Sequence, residues 1–314
     1  MEKNIYDIIV IGAGPTGLFS TFYASYLKLN TICVELSENI GGQLTNLYPN
    51  KFIYDFPGFQ KIKANDFVDS LKKQILNLKS EIITKTSINH FKYVDNEDYF
   101  ELYDQNNNVY YAKFVIITIG IGSFTPNKIQ NFPDSHEHDK VHYFLKSDCD
   151  YKDKNILVLG GGNSAVDIAE QLVTQYNSNV NLIHHKDELK ANSFTKDELI
   201  SKGINIHLNT ELVSWNPESC IFKNHENNAS ELFYDFIIVQ YGLQPLHSPI
   251  HDWSNLKIEA KKIIVDNNYE TSIKNIFAAG DCIKNDKRIN SIITGMSEAT
   301  IIINNIKNIM KNKN

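Results

Sequence analysis

The sequence predicts an α/β fold in which one strand–helix–strand–meander plan is used twice, the second copy inserted into the first. Three observations predict it. A glycine-rich turn follows a fully apolar strand within residues 8–17, and a second follows another such strand within residues 155–165. Each copy then passes through short strands separated by turns into an apolar run, at residues 114–119 and 236–239.

In the first copy, Ile8, Ile9, Val10 and Ile11 form the unbroken β-branched run of a strand buried on both faces of a parallel sheet. Gly12, Gly14 and Gly17 follow in G-x-G-x-x-G spacing. The first glycine permits a tight turn, the second lets a pyrophosphate approach the backbone, and the third lets a helix pack closely on the strand. Pro15 suits the first turn of that helix, which is expected to begin near Thr16 and run to residue 27. Its free N–H groups and positive dipole end would face the phosphates. Residues 31–34 read as the next strand, and Glu35 ends it with a carboxylate suited to a ribose diol.

A glycine-containing loop at residues 38–44 carries Gln43, an amide with both a donor and an acceptor. Residues 46–58 crowd Tyr48, Phe52, Tyr54 and Phe56 between prolines and a glycine. Two readings of this segment stay open: a wall against a flat ring system, or a satellite core cluster. Residues 65–78 have helical spacing, with Phe67, Val68, Leu71, Ile75 and Leu78 on one side. Turn sequences at 95–98 and 105–108 then mark a small antiparallel meander. The apolar run at 114–119 stops at Gly120-Ile121-Gly122, where the chain leaves the first domain. His136, His138 and His142 follow among acids without the rigid spacing of a metal motif, and they read as surface histidines.

The second cradle has a strand at residues 155–159, the turn Gly160-Gly161-Gly162-Asn163-Ser164, a helix to about residue 176 and a strand at 180–183. Where the first copy ends in Glu35, this one ends in His184-His185-Lys186, with Lys190 four residues beyond. A carboxylate there would repel a ribose 2′-phosphate and cations would attract it, which favours NADP over NAD. Past Gly242 the chain returns to the first domain. Residues 273–279 read as a strand that leads into Gly280 and Asp281, and 289–309 as a closing helix with Thr294, Gly295 and Met296 near its start. Asp281 could accept hydrogen bonds from a sugar-alcohol chain, and the helix N–H groups could stabilise negative charge on a reduced ring.

The chain of 314 residues is 42% apolar with a net charge of −6, enough for two ordinary cores. No apolar run reaches the length of a membrane span, and the N-terminus enters the first strand without a signal-like segment, so a cytoplasmic protein is expected. The acidic balance and the lack of a basic, aromatic-rich stripe argue against nucleic acid. Cys33, Cys149, Cys220 and Cys282 are far apart and read as free thiols, with no metal site. Basic residues are almost all lysine, Arg288 being the single arginine.

Together the motifs GAGPTG, GGQL, YDFPGF, GGGNSA and AAGD resemble the thioredoxin reductase-like flavoproteins over nearly the whole chain. GGQLTNLYPNKFIYDFPGF, HYFLKSD and NYETSIKNIFAAGDC are similar to the ferredoxin/flavodoxin–NADP reductases of that type. The resemblance implies two Rossmann-like domains of three-layer ββα type. One would bind FAD (residues 1–122 and 245–314) and the other NADP(H) (residues 123–244). It implies that Gly12, Gly14 and Gly17 face the FAD pyrophosphate and Glu35 the adenosine ribose, with Thr16 also among the cofactor-binding residues. Gln43 would sit beside the flavin, Tyr48 stack on the isoalloxazine, and Asp281 bind the ribityl side. Ile88 and Phe124 match positions lining the adenine and flavin regions. Gly162, Asn163, Ser164, His185, Lys186 and Lys190 match the NADP-binding loops.

Two departures shape the expected chemistry. Thioredoxin reductases carry a CxxC before the second cradle, and only Cys149 stands here, so electrons would leave the flavin edge directly rather than by disulfide exchange. Relatives often extend past the closing helix to cover the second flavin face, whereas this sequence stops at Asn314. The expected function is electron transfer between NADPH and ferredoxin or flavodoxin, by hydride transfer between nicotinamide and flavin, in a homodimer. No side chain is expected to act as a general acid or base. The alternatives are an NAD(P)H oxidase or diaphorase, a thioredoxin reductase-like enzyme lacking the dithiol, and a flavin redox sensor without turnover.

Overall fold

The computed structural model describes every residue except 1, 2, 48, 50, 77, 79, 123, 130–138, 147, 148, 192, 193, 246, 286 and 314. Contacts divide the chain into two compact units, Met1–Ser123 with Leu246–Asn314, and Phe124–Pro245.

The first unit opens with β1 (Ile5–Ile11), α1 (Pro15–Tyr26) and β2 (Thr31–Val34). The loop predicted at 38–44 ends early, because Gln43 begins a one-turn helix, α2 (Gln43–Asn46). β3 (Phe52–Ile53) and β4 (Ile62–Lys63) pair antiparallel, and α3 (Ala64–Leu76) follows. The apolar stripe Phe67, Val68, Leu71 and Ile75 of α3 is buried, but Leu78 lies beyond the helix end. β5 (Glu81–Ile83), β6 (Ile88–Val94), β7 (Tyr99–Asp104) and β8 (Val109–Ile117) complete the sheet in the order β5-β2-β1-β8-β7-β6. β8 serves two layers. Its first residues pair antiparallel with β7, and its later ones run parallel to β1.

Alternation along the strands fills two cores. Ile8 and Val10 of β1, Cys33 of β2, and Phe114 and Ile116 of β8 pack with the helices. Ile9 and Ile11, Ile32 and Val34, and Val115 and Ile117 pack toward the meander. A strand covered on both faces needs the unbroken apolar run the sequence displays.

The second unit repeats the plan. β9 (Phe124–Pro126) and β10 (Val141–His142) precede β11 (Asn155–Leu159), α4 (Asn163–Tyr176) and β12 (Asn179–Ile183). A short helix, α5 (Lys196–Ser201), carries a full capping box in which Thr195 and Glu198 bond each other's backbone N–H. After β13 (Asn205–His207) comes a meander of β14 (Thr210–Trp215), β15 (Ser219–Asn224) and β16 (Ala229–Phe233), then β17 (Phe236–Val239) and β18 (Leu243–Pro245). The parallel sheet has the order β10-β17-β11-β12-β13. β9 and β18 pair antiparallel, Phe124 opposite Pro245. His142, expected on the surface, is instead 1% exposed within β10, where its Nδ1 shares a 2.7 Å hydrogen bond with the Tyr151 hydroxyl. A two-residue strand is too short to leave a periodic signal in the sequence.

The return segment adds β19 (Ile258–Glu259), β20 (Lys262–Ile264), β21 (Ile276–Ala278) and β22 (Ile283–Lys284). β21 joins the first sheet beside β8 and is shorter than the predicted strand. The closing helix α6 (Ile292–Lys313) starts three residues later than predicted. Among the described residues no helix is long and apolar enough to cross a membrane.

Candidate functional site

The three glycines of the first turn answer to different demands. A Cβ on Gly12, whose φ is +103°, would lie 2.7 Å from the Thr118 carbonyl oxygen, and one on Gly17 would lie 1.8 Å from the Gly12 oxygen. The protein's own packing requires both. Gly14 has nothing within 4 Å of a Cβ position and an ordinary φ of −69°, so the protein alone makes no demand for glycine there. Gly14 is also the N-cap of α1, which has no side-chain cap and no acid in its first turn. Its N–H groups and positive end are therefore left for an anion.

Glu35 is 9% exposed, and its carboxylate ties this turn together. Oε2 accepts from the Ala13 N–H at 2.6 Å and Oε1 from the Ser37 N–H at 2.8 Å. Each oxygen keeps a lone pair for a further donor.

Three other segments close on the same turn. The Gly41 N–H donates to the Ala13 oxygen at 2.8 Å, and a Cβ on Gly42 would come within 3.1 Å of the Gly14 Cα. Gln43 follows at once, half-buried. From the far end of the chain, Cβ atoms on Gly280 and Gly295 would lie 3.1 and 2.3 Å from the Thr16 hydroxyl. Asp281, in a short 3-10 turn Gly280–Cys282, accepts from Arg288 Nη1 at 2.8 Å through Oδ1. Arg288 Nε donates to Glu298 Oε1 at 2.7 Å, and Glu298 Oε2 accepts the Gly280 N–H at 2.7 Å. Sequence reasoning missed this network. Its one visible signal was a lone arginine among lysines.

Other expected residues fall as follows. Ile88 opens β6 with its side chain buried in the core, leaving only its main chain for a ligand. Tyr48 lies outside the described residues, as do His136 and His138. Phe56 packs edge-on against Phe67 with ring centroids 4.7 Å apart, which gives it to the α3 cluster, while Tyr54 is 68% exposed. Phe124 is half-buried in β9.

The second turn is built alike. A Cβ on Gly160 would lie 2.4 Å from the Gln240 oxygen, and one on Gly161 2.3 Å from the His184 ring. Gly162 has open space and is the N-cap of α4, again without a side-chain cap. Asn163 and Ser164 begin that helix. His185, Lys186 and Lys190 are exposed, and the Lys190 N–H donates to the Gly161 oxygen at 2.7 Å, drawing the basic loop over the turn.

Residues 6–299 match the family model described as pyridine nucleotide-disulphide oxidoreductase. The chain belongs to that family. Among the relatives of this oxidoreductase, one from Malacoplasma penetrans named ferredoxin–NADP reductase is 37% identical across 99% of this chain and 98% of its own length. A ferredoxin–NADP reductase 2 from Shouchella clausii is 34% identical across 98% and 94%. Among solved structures, a thioredoxin reductase from T. acidophilum has a TM-score of 0.71 at 21% identity, covering 98% of this chain and 99% of that one. That likeness concerns the fold alone.

The oxidoreductase's four cysteines are all free. Burial pushes the thiols of Cys33, Cys220 and Cys282 up to about 12, which makes them unreactive at neutral pH.

His184 stands in the second unit where Glu35 stands in the first. It is 7% exposed, and among the described residues neither ring nitrogen has a hydrogen-bond partner. Burial, then His185, Lys186 and Lys190, hold its imidazole below the ordinary 6.5. Because the folded value is the lower one, the unfolded chain takes up the proton first as pH falls through about 6.5, and stability is lost with it. The second unit of this oxidoreductase is therefore expected to melt at lower temperature at pH 5.5 than at pH 7.5. His184→Phe should flatten the slope in thermal circular dichroism, leaving the part due to His207, which burial lowers too. An unchanged slope would count against this role.

Proposed function

We propose that this oxidoreductase passes electrons between NADPH and ferredoxin or flavodoxin, with FAD in the first unit and NADPH in the second. One observation carries the reading: two uncapped helix N-termini open at Gly14 and Gly162, one beside a buried carboxylate and the other beside exposed His185, Lys186 and Lys190. The names of the full-length relatives support the choice of carrier.

The residues present fit both nucleotides. The space at Gly14 is where a pyrophosphate would approach the α1 N–H groups, with Glu35 accepting from the adenosine ribose. Thr16, Gln43, Asp281 and the main chain at Ile88 belong to the same proposed FAD site, together with Gly12, Gly17 and Tyr48. Gly162, Asn163 and Ser164 receive the NADPH pyrophosphate, and His185, Lys186 and Lys190 its 2′-phosphate. The domain assignment follows, with FAD on residues 1–122 and 245–314 and NADP(H) on 123–244. When bound, the flavin supplies both hydride acceptance and one-electron exchange. The chain's part is to bind, orient and shield. With three thiols buried and no neighbouring pair, no dithiol relay competes with exit from the flavin. A homodimer in the cytoplasm completes the reading.

Anaerobic mixing with NADPH is expected to bleach the flavin absorbance, and ferredoxin or flavodoxin to accelerate its recovery. If NADPH fails to bleach it, the enzyme reading falls. If bleaching occurs but neither carrier speeds recovery, the oxidase or diaphorase reading replaces this one. Lys186→Glu is expected to raise the apparent KM for NADPH by about tenfold, the worth of one charge-assisted hydrogen bond, with little change for NADH. An equal effect on both would remove Lys186 from the phosphate site.

A further inference from the structure

The hairpin of β3 and β4 has two unlike faces. Phe52 pairs with Lys63 and Ile53 with Ile62, so the first pair lies on one face and the second on the other. Ile53 is 8% exposed and, with Ile62, joins the core that α1, α3 and α6 share. The other face is turned away from that core. Tyr54 continues it two residues beyond Phe52, with ring centroids 6.3 Å apart, and Lys61 Nζ lies 4.8 Å from the centre of the Phe52 ring. Tyr54 and Lys61 are exposed, and Phe52 and Lys63 are half-buried. These four side chains offer two rings and two cations, with no carboxylate among them. The one acid within residues 52–63, Asp55, lies in the connecting loop.

The hairpin is tied at both ends to the proposed flavin site. β3 follows α2, which carries Gln43, and begins four residues after Tyr48. β4 runs directly into α3, whose Val68 would lie 2.9 Å from a Cβ on Gly41, beside the first glycine turn. The Ala64 N–H, donating to the Lys51 oxygen at 2.9 Å, closes the base of the hairpin.

We propose that this aromatic and cationic face docks an acidic surface of the one-electron carrier. The inference rests on the carrier reading above and gives the carrier a place on the chain. A chain of net charge −6 repels an acidic protein at long range, so a productive encounter needs a local cationic surface. Lys61 and Lys63 supply it. Tyr54 and Phe52 supply rings that a protein partner can desolvate, and tyrosine is among the side chains that carry most interface energy. Resting Lys61 on the Phe52 ring orders the cation before the partner arrives, which lowers the entropy lost on docking. Other occupants fit less well. An anionic membrane is gripped by clusters of about four or more cations, and a second copy meeting this face with its own would set lysine against lysine. Docking here places the carrier on the unit assigned to FAD, at the segment that bears Gln43 and Tyr48.

The test uses the full-length flavin-loaded protein, reduced anaerobically with NADPH and reoxidised by flavodoxin, by ferredoxin or by the neutral quinone menadione. Reversing both charges together, Lys61→Glu with Lys63→Glu, is expected to raise the KM for the effective carrier by about tenfold at low salt. In high salt, where exposed charges are screened, the difference should shrink. Tyr54→Ala should raise that KM by about tenfold at both salt levels. Bleaching by NADPH, menadione turnover and flavin content should match the parent in every variant. If the charge-reversed protein keeps the parent's carrier KM, this inference fails alone and the carrier reading stands. If menadione turnover falls as far as carrier turnover, the hairpin acts on the flavin rather than on docking, and the inference fails again. If neither carrier reoxidises the parent, the carrier reading fails and takes this one with it. Phosphatidylglycerol vesicles and sedimentation test the other occupants. Loss of vesicle binding or of the dimer on charge reversal, with the carrier KM unchanged, would give the face to a membrane or to a second copy.

Discussion

Arg288→Ala is expected to cost the first unit about 3–5 kcal/mol and most of its bound flavin. The guanidinium and the Glu298 carboxylate facing it are each 3% exposed. Removing the cation leaves that carboxylate buried without its partner, which costs far more than the pair gains from existing. The damage would not stay local. Glu298 also holds the Gly280 N–H, and Arg288 holds Asp281, so the 3-10 turn that faces Thr16 would lose both restraints. Arg288→Lys keeps the charge but cannot place donors on two carboxylates with a planar fork, and an intermediate loss is expected. Denaturant unfolding, followed by tryptophan emission and flavin release together, measures both quantities. Trp253 lies in this unit and reports on it. If Arg288→Ala unfolds within about 0.5 kcal/mol of the parent, the size of an ordinary surface substitution, the network is not what holds the turn.

The second large effect separates two glycines three residues apart. Gly17→Ala would drive a methyl group to 1.8 Å from a backbone oxygen that is itself fixed in the turn. No rotamer relieves such a contact, so α1 must move off β1, at a cost of about 3 kcal/mol or more. Little soluble protein is expected. Gly14→Ala meets no atom within 4 Å and keeps an accessible φ, so it should fold with the parent's circular dichroism. Its methyl group instead fills the approach to the helix N-terminus, and the purified protein should be nearly colourless. Flavin absorbance per chain decides this. A yellow, fully loaded Gly14→Ala would mean that the pyrophosphate does not cross at Gly14.

The contrast also marks how far the sequence could be read. Glycine spacing, the apolar strands on either side and the terminal Glu35 are local, and each has a direct physical cause in a neighbour a few residues away. The two cradles were legible for that reason. Arg288 and Glu298 are ten residues apart on a turn and a helix, and nothing in either neighbourhood predicts that they meet. His184 was visible as a basic residue, but its burial against Gly161 depends on the return of β13 and β14. His142 was misread because the edge strand it occupies is two residues long.

The pairing of Phe124 with Pro245 has a further consequence, for folding order. While residues 124–245 are unstructured, the two parts of the first unit are separated by an open loop of about 120 residues, and closing it costs roughly 4 kcal/mol in chain entropy. Once β9 and β18 meet, that loop is short-circuited to the few residues that flank them. The inserted unit thus acts as a staple for its host. A version with residues 124–245 replaced by a brief linker should assemble the host by the same route, making the insert a replaceable cassette.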